Sequence, residues 1–173
     1  MPIKVFADGD RPTATDFNLH FMQQVHALKT ASESVVSSTT LQDDDHLAVP
    51  VDAGTTYWVT AVIHYSAATA GDLLMGWSAP GGGTTFEWVS DAFASSSTAG
   101  GVDAVSRSYQ QLGSTPSPGG NGTGVLLACI PRGILITGSI AGTFRFRWAQ
   151  FASSATATTV YPESILILRR LTE

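Results

Sequence analysis

The chain has 173 residues, which is enough for one domain with a sizeable core and too few for two of ordinary size. It carries 9 Lys and Arg against 14 Asp and Glu, for a net charge of −5, and only 13% of its residues are charged. The acidic balance, with no basic run longer than two residues, excludes a non-specific nucleic-acid binder. The hydrophobic content of 43% excludes global disorder.

Residues 1–32 are predicted to form an N-terminal module, a short extended arm followed by one helix. Phe17, Phe21, Val25 and Leu28 lie at the spacing of one apolar stripe on a helix of about four turns. A helix of this length is not stable alone in water, so we expect its stripe to be buried on the body of the chain or on a neighbouring subunit. These four residues are therefore our candidate assembly interface.

Residues 33–173 are predicted to form one β domain, because the hydrophobic period changes there from about 3.6 residues to about 2. Eight or more strands without helices between them predict an all-β fold, an antiparallel β-sandwich of jelly-roll-like form. Asp43–Asp45 is predicted as a solvated turn between strands. Gly- and Ser-rich segments are predicted as exposed loops at 79–84, 95–101 and 113–124.

The last two predicted strands are the most informative. In the strand 143–150, Phe144, Phe146 and Trp148 alternate with Arg145 and Arg147. The run 165–168 is apolar on both faces, which is typical of a strand at the centre of a sandwich or at a subunit interface. The concentration of arginines on these strands, with acids mainly in the first half, favours complementary packing between subunits. Ordinary ion pairing within the chain explains it equally well.

Motifs for catalysis are missing from the sequence. The lone Cys129 lies in an apolar run and is predicted to be a buried structural thiol. His20, His26 and His64 are scattered, and no nucleophile elbow, phosphate loop or zinc-protease motif occurs. We expect no enzyme activity, no catalytic residues and no cofactor.

The densest polar cluster is Asp43–Asp45 followed by His46. Carboxylates and imidazole are the ligand types of Ca²⁺ and transition metals, but consecutive residues rarely converge on one ion. We therefore expect no metal site. The start of the chain does not resemble a secretory signal, and no apolar run approaches the roughly 18 residues of a membrane span.

Segments across almost the whole chain resemble structural proteins of tailed bacteriophages. Residues 6–18 are similar to the opening of many tail-associated proteins, in which a short arm and a small helix precede a β domain. Residues 33–57 and 71–81, and the ending from Arg147, are similar to a domain of virion proteins from phages of actinobacteria. The most specific parts are the run Leu-Gln-Asp-Asp-Asp-His-Leu and the Trp-Ala-Gln ending.

The resemblance implies a non-enzymatic structural protein of the virion, as minor tail protein, fibre or capsid decoration, made in the bacterial host cytoplasm. It implies partners that are other copies of the chain, with a homotrimer as the first expectation, and other capsid or tail proteins. The alternative is a carbohydrate- or receptor-binding module at a tail tip, contacting host glycans through Trp77, Trp88 or Tyr109. Nucleic acid and membrane insertion are not expected in either case.

Overall fold

The computed structural model describes residues 7–14, 23–95 and 105–171. Over these residues the chain is all-β, and every strand pairing is antiparallel, as the sequence predicted. The strands are β1 Gln24–Leu28, β2 Glu33–Val35, β3 Gln42–Val51, β4 Thr56–Ser66, β5 Leu73–Ser78, β6 Thr85–Val89, β7 Ala92–Phe93, β8 Val105–Ser106, β9 Tyr109–Gln111, β10 Leu127–Cys129, β11 Arg132–Ile136, β12 Gly142–Gln150, β13 Thr158–Val160 and β14 Ile165–Arg170.

The long strand β4 organises the larger, nine-stranded sheet. Its first half pairs with β14 along one edge and with β11 along the other, and its second half pairs with β13 and β10. The main strand order is β1-β14-β4-β11-β6-β9, with β2 next to β13. A second sheet has the order β3-β12-β5, and β7 and β8 form a small ribbon.

The inward faces of the two larger sheets share one hydrophobic core. Alternate residues of β4, β6 and β14 supply one side, and alternate residues of β3, β5 and β12 supply the other. Trp77 stacks on Phe144 with ring centroids 4.9 Å apart, and it meets Phe86 and Trp88 of the nine-stranded sheet edge-on at 5.7 and 6.0 Å. Because Trp77 and Trp88 are only 6% and 2% exposed, the prediction that they bind ligands at the surface is wrong.

The predicted helix does not include residues 24–28, which form β1 instead. β1 pairs with β14 from Gln24 opposite Arg169 to Leu28 opposite Ile165. Val25 points toward the core, whereas Leu28 lies on the opposite face and is 50% exposed. Since side chains alternate along a strand, these two residues cannot share a stripe. Phe17 and Phe21, with the rest of residues 15–22, lie outside the described residues.

The three aspartates do not form a turn, because Asp43–Asp45 belongs to β3. Asp44 is 2% exposed and forms an ion pair with Lys29, which is equally buried, at 2.8 Å. Lys29 also pairs with Glu33 at 2.9 Å. A buried pair of this kind tolerates the loss of one partner poorly, because the other charge is then left without compensation in a low-dielectric interior.

Asp44 also stabilises a bulge in β3. Four residues of β3 lie opposite Phe146 alone, and the backbone N–H groups of His46 and Leu47 both donate to Asp44 Oδ1 at 2.9 Å. The indole N–H of Trp148 donates to Oδ2 at 3.2 Å. One carboxylate therefore joins the residue after β1, the bulge of β3 and the C-terminal part of β12.

The segment predicted as an exposed loop at 113–124 is partly buried. Pro116 and Pro118 accept hydrogen bonds from Met75 and Leu73, so the segment covers the free edge of β5. Gly119 passes so close to the backbone that a Cβ there would lie 2.5 Å from the carbonyl oxygen of Ala94. Only glycine fits at that position.

Asp44→Asn is expected to lower the free energy of unfolding by about 3–5 kcal/mol, because the amide leaves the buried Lys29 ammonium without its main counter-charge. Chemical denaturation followed by tryptophan fluorescence measures the effect. The matched control is Asp45→Asn, an exposed neighbour, which is expected to change stability by no more than about 0.5 kcal/mol. Equal stabilities for the two variants would contradict the assigned role of Asp44.

Candidate assembly surface

The face of the nine-stranded sheet that points away from the core carries large apolar side chains among polar ones; we call it the outer face. One face of an antiparallel sheet commonly packs on the core while the other is polar and solvated. Here β4, β11 and β14 carry apolar side chains on the outward side as well, in alternation with Thr, His and Arg residues. The apolar residues of the outer face are Leu28, Trp58, Val62, Val89, Tyr109, Ile134, Ile136, Ile165 and Ile167.

The strand register arranges these side chains in rows across the sheet. One row contains Leu28, Ile165 and Val62. The next runs from His26 through Ile167, Thr60, Arg132 and Val89 to Tyr109. A third row runs from Gln24 through Arg169, Trp58, Ile134 and Glu87 to Gln111. Directly opposed side chains on one face are close enough to pack together, so the apolar members form small clusters that are separated in part by Thr60 and Arg132; we call these clusters together the patch.

The patch is open to solvent at its middle and along its margins. Trp58 is 44% exposed at the centre, and Ile136 is 50% exposed beside it. Leu28 and Tyr109, at 50% and 60%, mark the two sides. Large contiguous apolar patches on a soluble protein mark interaction sites, whereas scattered single residues do not.

The three-stranded sheet shows what an ordinary solvated face looks like in the same molecule. Its outward side carries Asp43, Arg145 and Arg147, and the Arg147 guanidinium Nε lies 2.9 Å from an Asp43 carboxylate oxygen. Arg145 pairs with the same carboxylate. Arg170 likewise pairs with Asp52 at 2.9 Å. Arg145, Arg147 and Arg170 thus pair with aspartates of their own chain. The concentration of arginines on the last strands is therefore explained for these three without partners on another subunit.

Charge on the outer face is sparse and lies around the apolar centre. Arg132 pairs with Asp91 at 2.6 Å near β7. In the row of Trp58 and Ile134, Arg169 lies on one side of the apolar pair and Glu87 on the other, and both are exposed. The face therefore has a positive and a negative flank.

The interface residues predicted from the sequence do not lie on one surface. Of the four, Leu28 lies on the outer face and Val25 in the core side of the same strand, and Phe17 and Phe21 are outside the described residues. Tyr109 is exposed as expected for a surface-binding residue. Sequence reasoning missed Trp58 and Ile134, although the two-sided apolar pattern was visible in the run Ile134-Leu135-Ile136 as well as in 165–168.

In the described part of the chain, Cys129 and the histidines do not form a catalytic group. Burial raises the pKa of the Cys129 thiol to about 12, so the thiolate needed for nucleophilic attack is scarce at neutral pH. His26 and His64 lie on different strands of the outer face, and His20 is outside the described residues. Across 7–14, 23–95 and 105–171, no group of three or more His, Cys, Asp or Glu is placed to hold a metal ion.

Burial also raises the pKa of two groups beside the segment 116–120. The Tyr65 hydroxyl, which donates to the carbonyl of Gly119 at 2.7 Å, has its pKa raised by desolvation. Asp72 has its pKa raised by desolvation, partly offset by the N–H of Gly120, which donates to Oδ1 at 2.7 Å. Both side chains tie the covering segment to the core, which is a structural role.

Helices capable of crossing a membrane do not occur in the part of the chain that the structure describes.

Neither the known protein-family models nor the curated proteins contain a match to this chain. Among solved structures, one similarity is to infectious bursal disease virus, Gx strain, with 9% identity and a TM-score of 0.28 over 98% of this chain and 44% of that chain. Another is to the VP2 subviral particle of infectious bursal disease virus, with 8% identity and a TM-score of 0.27 over 100% of this chain and 47% of that one. The chain thus spans less than half of these viral chains. TM-scores this low do not establish a shared fold or a shared function.

The Cys129 thiol is expected to be inert in the folded protein, because it is fully buried and its pKa is far above neutral. Labelling with a chromogenic disulfide at about pH 8 should be negligible for the native chain and complete in concentrated guanidinium chloride. Cys129→Ser provides the zero-signal control. Rapid labelling of the native protein would show an accessible, activated thiol and reopen the case for nucleophilic catalysis.

Proposed function

We propose that this chain is a non-enzymatic structural protein of a phage virion that works by assembling with other protein subunits. The observation that carries the proposal is the outer face of the nine-stranded sheet, on which the large apolar side chains Trp58, Ile136 and Tyr109 are exposed in the described part of the chain. The apolar run 165–168 is compatible with the centre of a sandwich, since Leu166 and Leu168 lie in the core, and with a subunit interface, since Ile165 and Ile167 lie on the outer face. We favour a subunit interface for the outward pair.

The polar groups of the described chain support a structural rather than a catalytic role. The buried carboxylate of Asp44 pairs with Lys29 and accepts hydrogen bonds from Trp148 and from two backbone N–H groups. Asp43 is committed to Arg145 and Arg147. A catalytic group must be able to exchange a proton or form a hydrogen bond with a substrate, whereas the carboxylates of Asp43 and Asp44 hold strands together.

The virion setting of the proposal comes from the resemblance of residues 6–18, 33–57 and 71–81 to bacteriophage structural proteins. On that basis the chain serves as a minor tail protein, fibre or capsid decoration protein, with a jelly-roll-like sandwich and a homotrimer as the expected form. Other copies of the chain and other capsid or tail proteins are its partners. Residues 1–22 are the proposed docking segment, which contains Phe17 and Phe21.

A host-glycan-binding module at a tail tip is the second candidate, favoured by one observation. Tyr109 is 60% exposed on the edge strand β9, beside Gln111, and aromatic rings of this kind stack on sugars. Glycan-array binding that is lost in Tyr109→Ala and kept in Tyr109→Phe would support this candidate. Absence of binding across a broad panel would leave assembly as the sole function.

Deletion of residues 1–22 is expected to leave a folded β domain that no longer enters particles. The deletion stops at 22 because β1 and Lys29 are part of the folded body. Complementation of a phage that lacks the gene, followed by immunoblotting of purified particles, measures incorporation. A thermal melt of the truncated protein is the control for folding. Normal incorporation of the truncated chain would show that residues 1–22 do not dock it.

A further inference from the structure

We propose that a cleft at the end of β4 binds a neutral sugar ring of pyranose size. The cleft has a volume of about 380 Å³, which lies in the usual range of small-ligand sites. It goes beyond the assembly function proposed above, and it is separate from Tyr109, which lies on β9, three strands away from β4. The residues that line it are His64, Gly124, Leu126, Tyr161, Pro162 and Glu163.

The first wall of the cleft is the turn 161–163, which is tied to β4 at His64. The backbone N–H of Tyr161 donates to the carbonyl of His64 at 2.9 Å, and the N–H of His64 donates to Ser164 Oγ at 2.9 Å. The Ser164 hydroxyl donates in turn to the carbonyl of Tyr161 at 2.8 Å. The Tyr161 hydroxyl lies 3.0 Å from that of Ser66. A ligand therefore meets a wall that needs little ordering on binding.

The second wall is the segment 124–126, which leads into β10. This strand pairs with β4 so that Ala128 lies opposite His64. Leu126 is 65% exposed and lines the cleft, as does Pro162 on the first wall. These two side chains offer apolar surface to the C–H groups of a sugar ring.

Two polar side chains of the cleft are without a partner in the described part of the chain. The imidazole of His64 and the carboxylate of Glu163 form no hydrogen bond or ion pair there. A carboxylate accepts hydrogen bonds, and a neutral imidazole both donates and accepts. Adjacent hydroxyl groups of a pyranose match this combination, because each hydroxyl also donates and accepts.

The charge of the cleft favours a neutral sugar over an anionic one. Glu163 is exposed, and its carboxylate would repel an acidic sugar. Neither Lys nor Arg is among the described residues that line the cleft. The ligand is therefore recognised by hydrogen bonds and apolar contacts rather than by pairing of its own negative charge.

The backbone of Glu163 is strained. Its φ of 66° lies in the left-handed region, which residues other than glycine seldom adopt. Its N–H donates to the carbonyl of Lys29 at 2.9 Å, which holds it in this conformation. Glycine would fit here at a lower conformational cost. A strained residue that brings a carboxylate to a cleft is typical of a functional site.

Titration of the ¹⁵N-labelled full-length chain with single sugars is the test. The probes are the methyl pyranosides of glucose, galactose and mannose, and N-acetylglucosamine. At least one should shift the backbone amide signals of His64, Leu126 and Glu163 in two-dimensional NMR spectra. The dissociation constant should be on the order of a millimolar, as expected for a ligand of about 13 non-hydrogen atoms. Glucuronate should bind at least about tenfold more weakly than glucose.

Point variants assign the interaction to the two polar side chains. Glu163→Gln and His64→Ala should each raise the dissociation constant by about tenfold, because each removes hydrogen bonds to the sugar. Asp45→Asn makes the same carboxylate-to-amide change at an exposed position of β3 and should leave the constant unchanged.

A glycine variant separates binding from stability. Glu163→Gly relieves the backbone strain and should not lower the melting temperature, whereas it should weaken sugar binding by about tenfold or more. Circular dichroism melts of all variants show that each is folded. A folded E163G chain that binds sugar as tightly as the original chain would overturn the role of the carboxylate.

Each outcome of the titration supports or overturns the proposal. Shifts in the cleft that weaken in E163Q and H64A, but not in D45N, support it. It is overturned if none of the sugars shifts the cleft signals at tens of millimolar, or if only glucuronate or methylammonium does so. Shifts confined to Tyr109 and its neighbours would place sugar binding on β9 and overturn the cleft. None of these failures touches the assembly function, because incorporation into particles measures it separately.

Discussion

The nine-stranded sheet carries apolar side chains on both faces, and the described residues cover one of these faces. The three strands β3, β12 and β5 lie over one face of the nine-stranded sheet and bury Phe86, Trp88, Leu166 and Leu168. The opposite side of the same strands carries Trp58, Ile134, Ile165 and Ile167. Apolar surface is driven out of water in proportion to its area, so the uncovered face favours association with another protein surface.

The buried Lys29–Asp44 pair connects the core to this surface. Lys29 follows Leu28 directly, and its backbone N–H donates to the carbonyl of Ser164 at 2.8 Å while its side chain reaches Asp44. These contacts set the register of β1 on β14 and thereby place Leu28 beside Ile165 at the margin of the outer face. The same Asp44 holds the bulge of β3 against β12. A polar interaction between the sheets thus determines where an apolar side chain lies on the outside.

Sequence patterns predicted the all-β fold, the clean alternation on β12 and the two-sided apolar character of 165–168, because each is a short-range property of strands. The prediction of a helix over 24–28 was wrong. It relied on Val25 and Leu28, whose spacing also fits one face of a helix, although the segment is a strand. The alternative signal was the alternation of polar and apolar residues in Gln-Val-His-Ala-Leu. The burial of the Asp44 side chain was not predictable, since three consecutive aspartates do not show which one faces a lysine 15 residues away. The outer face was only partly predictable, because its centre joins residues of β4 and β11 that are far apart in the chain.

Trp58 offers the most direct measurement of whether the outer face is covered on assembly. It is 44% exposed, whereas Trp77, Trp88 and Trp148 are no more than 6% exposed, so an aqueous collisional quencher such as acrylamide reaches Trp58 and little else among the tryptophans. Quenching of the intrinsic fluorescence should fall toward that of the buried rings as the protein passes from dilute subunits into its assembled form. Quenching that stays unchanged while the protein assembles would show that the outer face remains in water and would contradict the account.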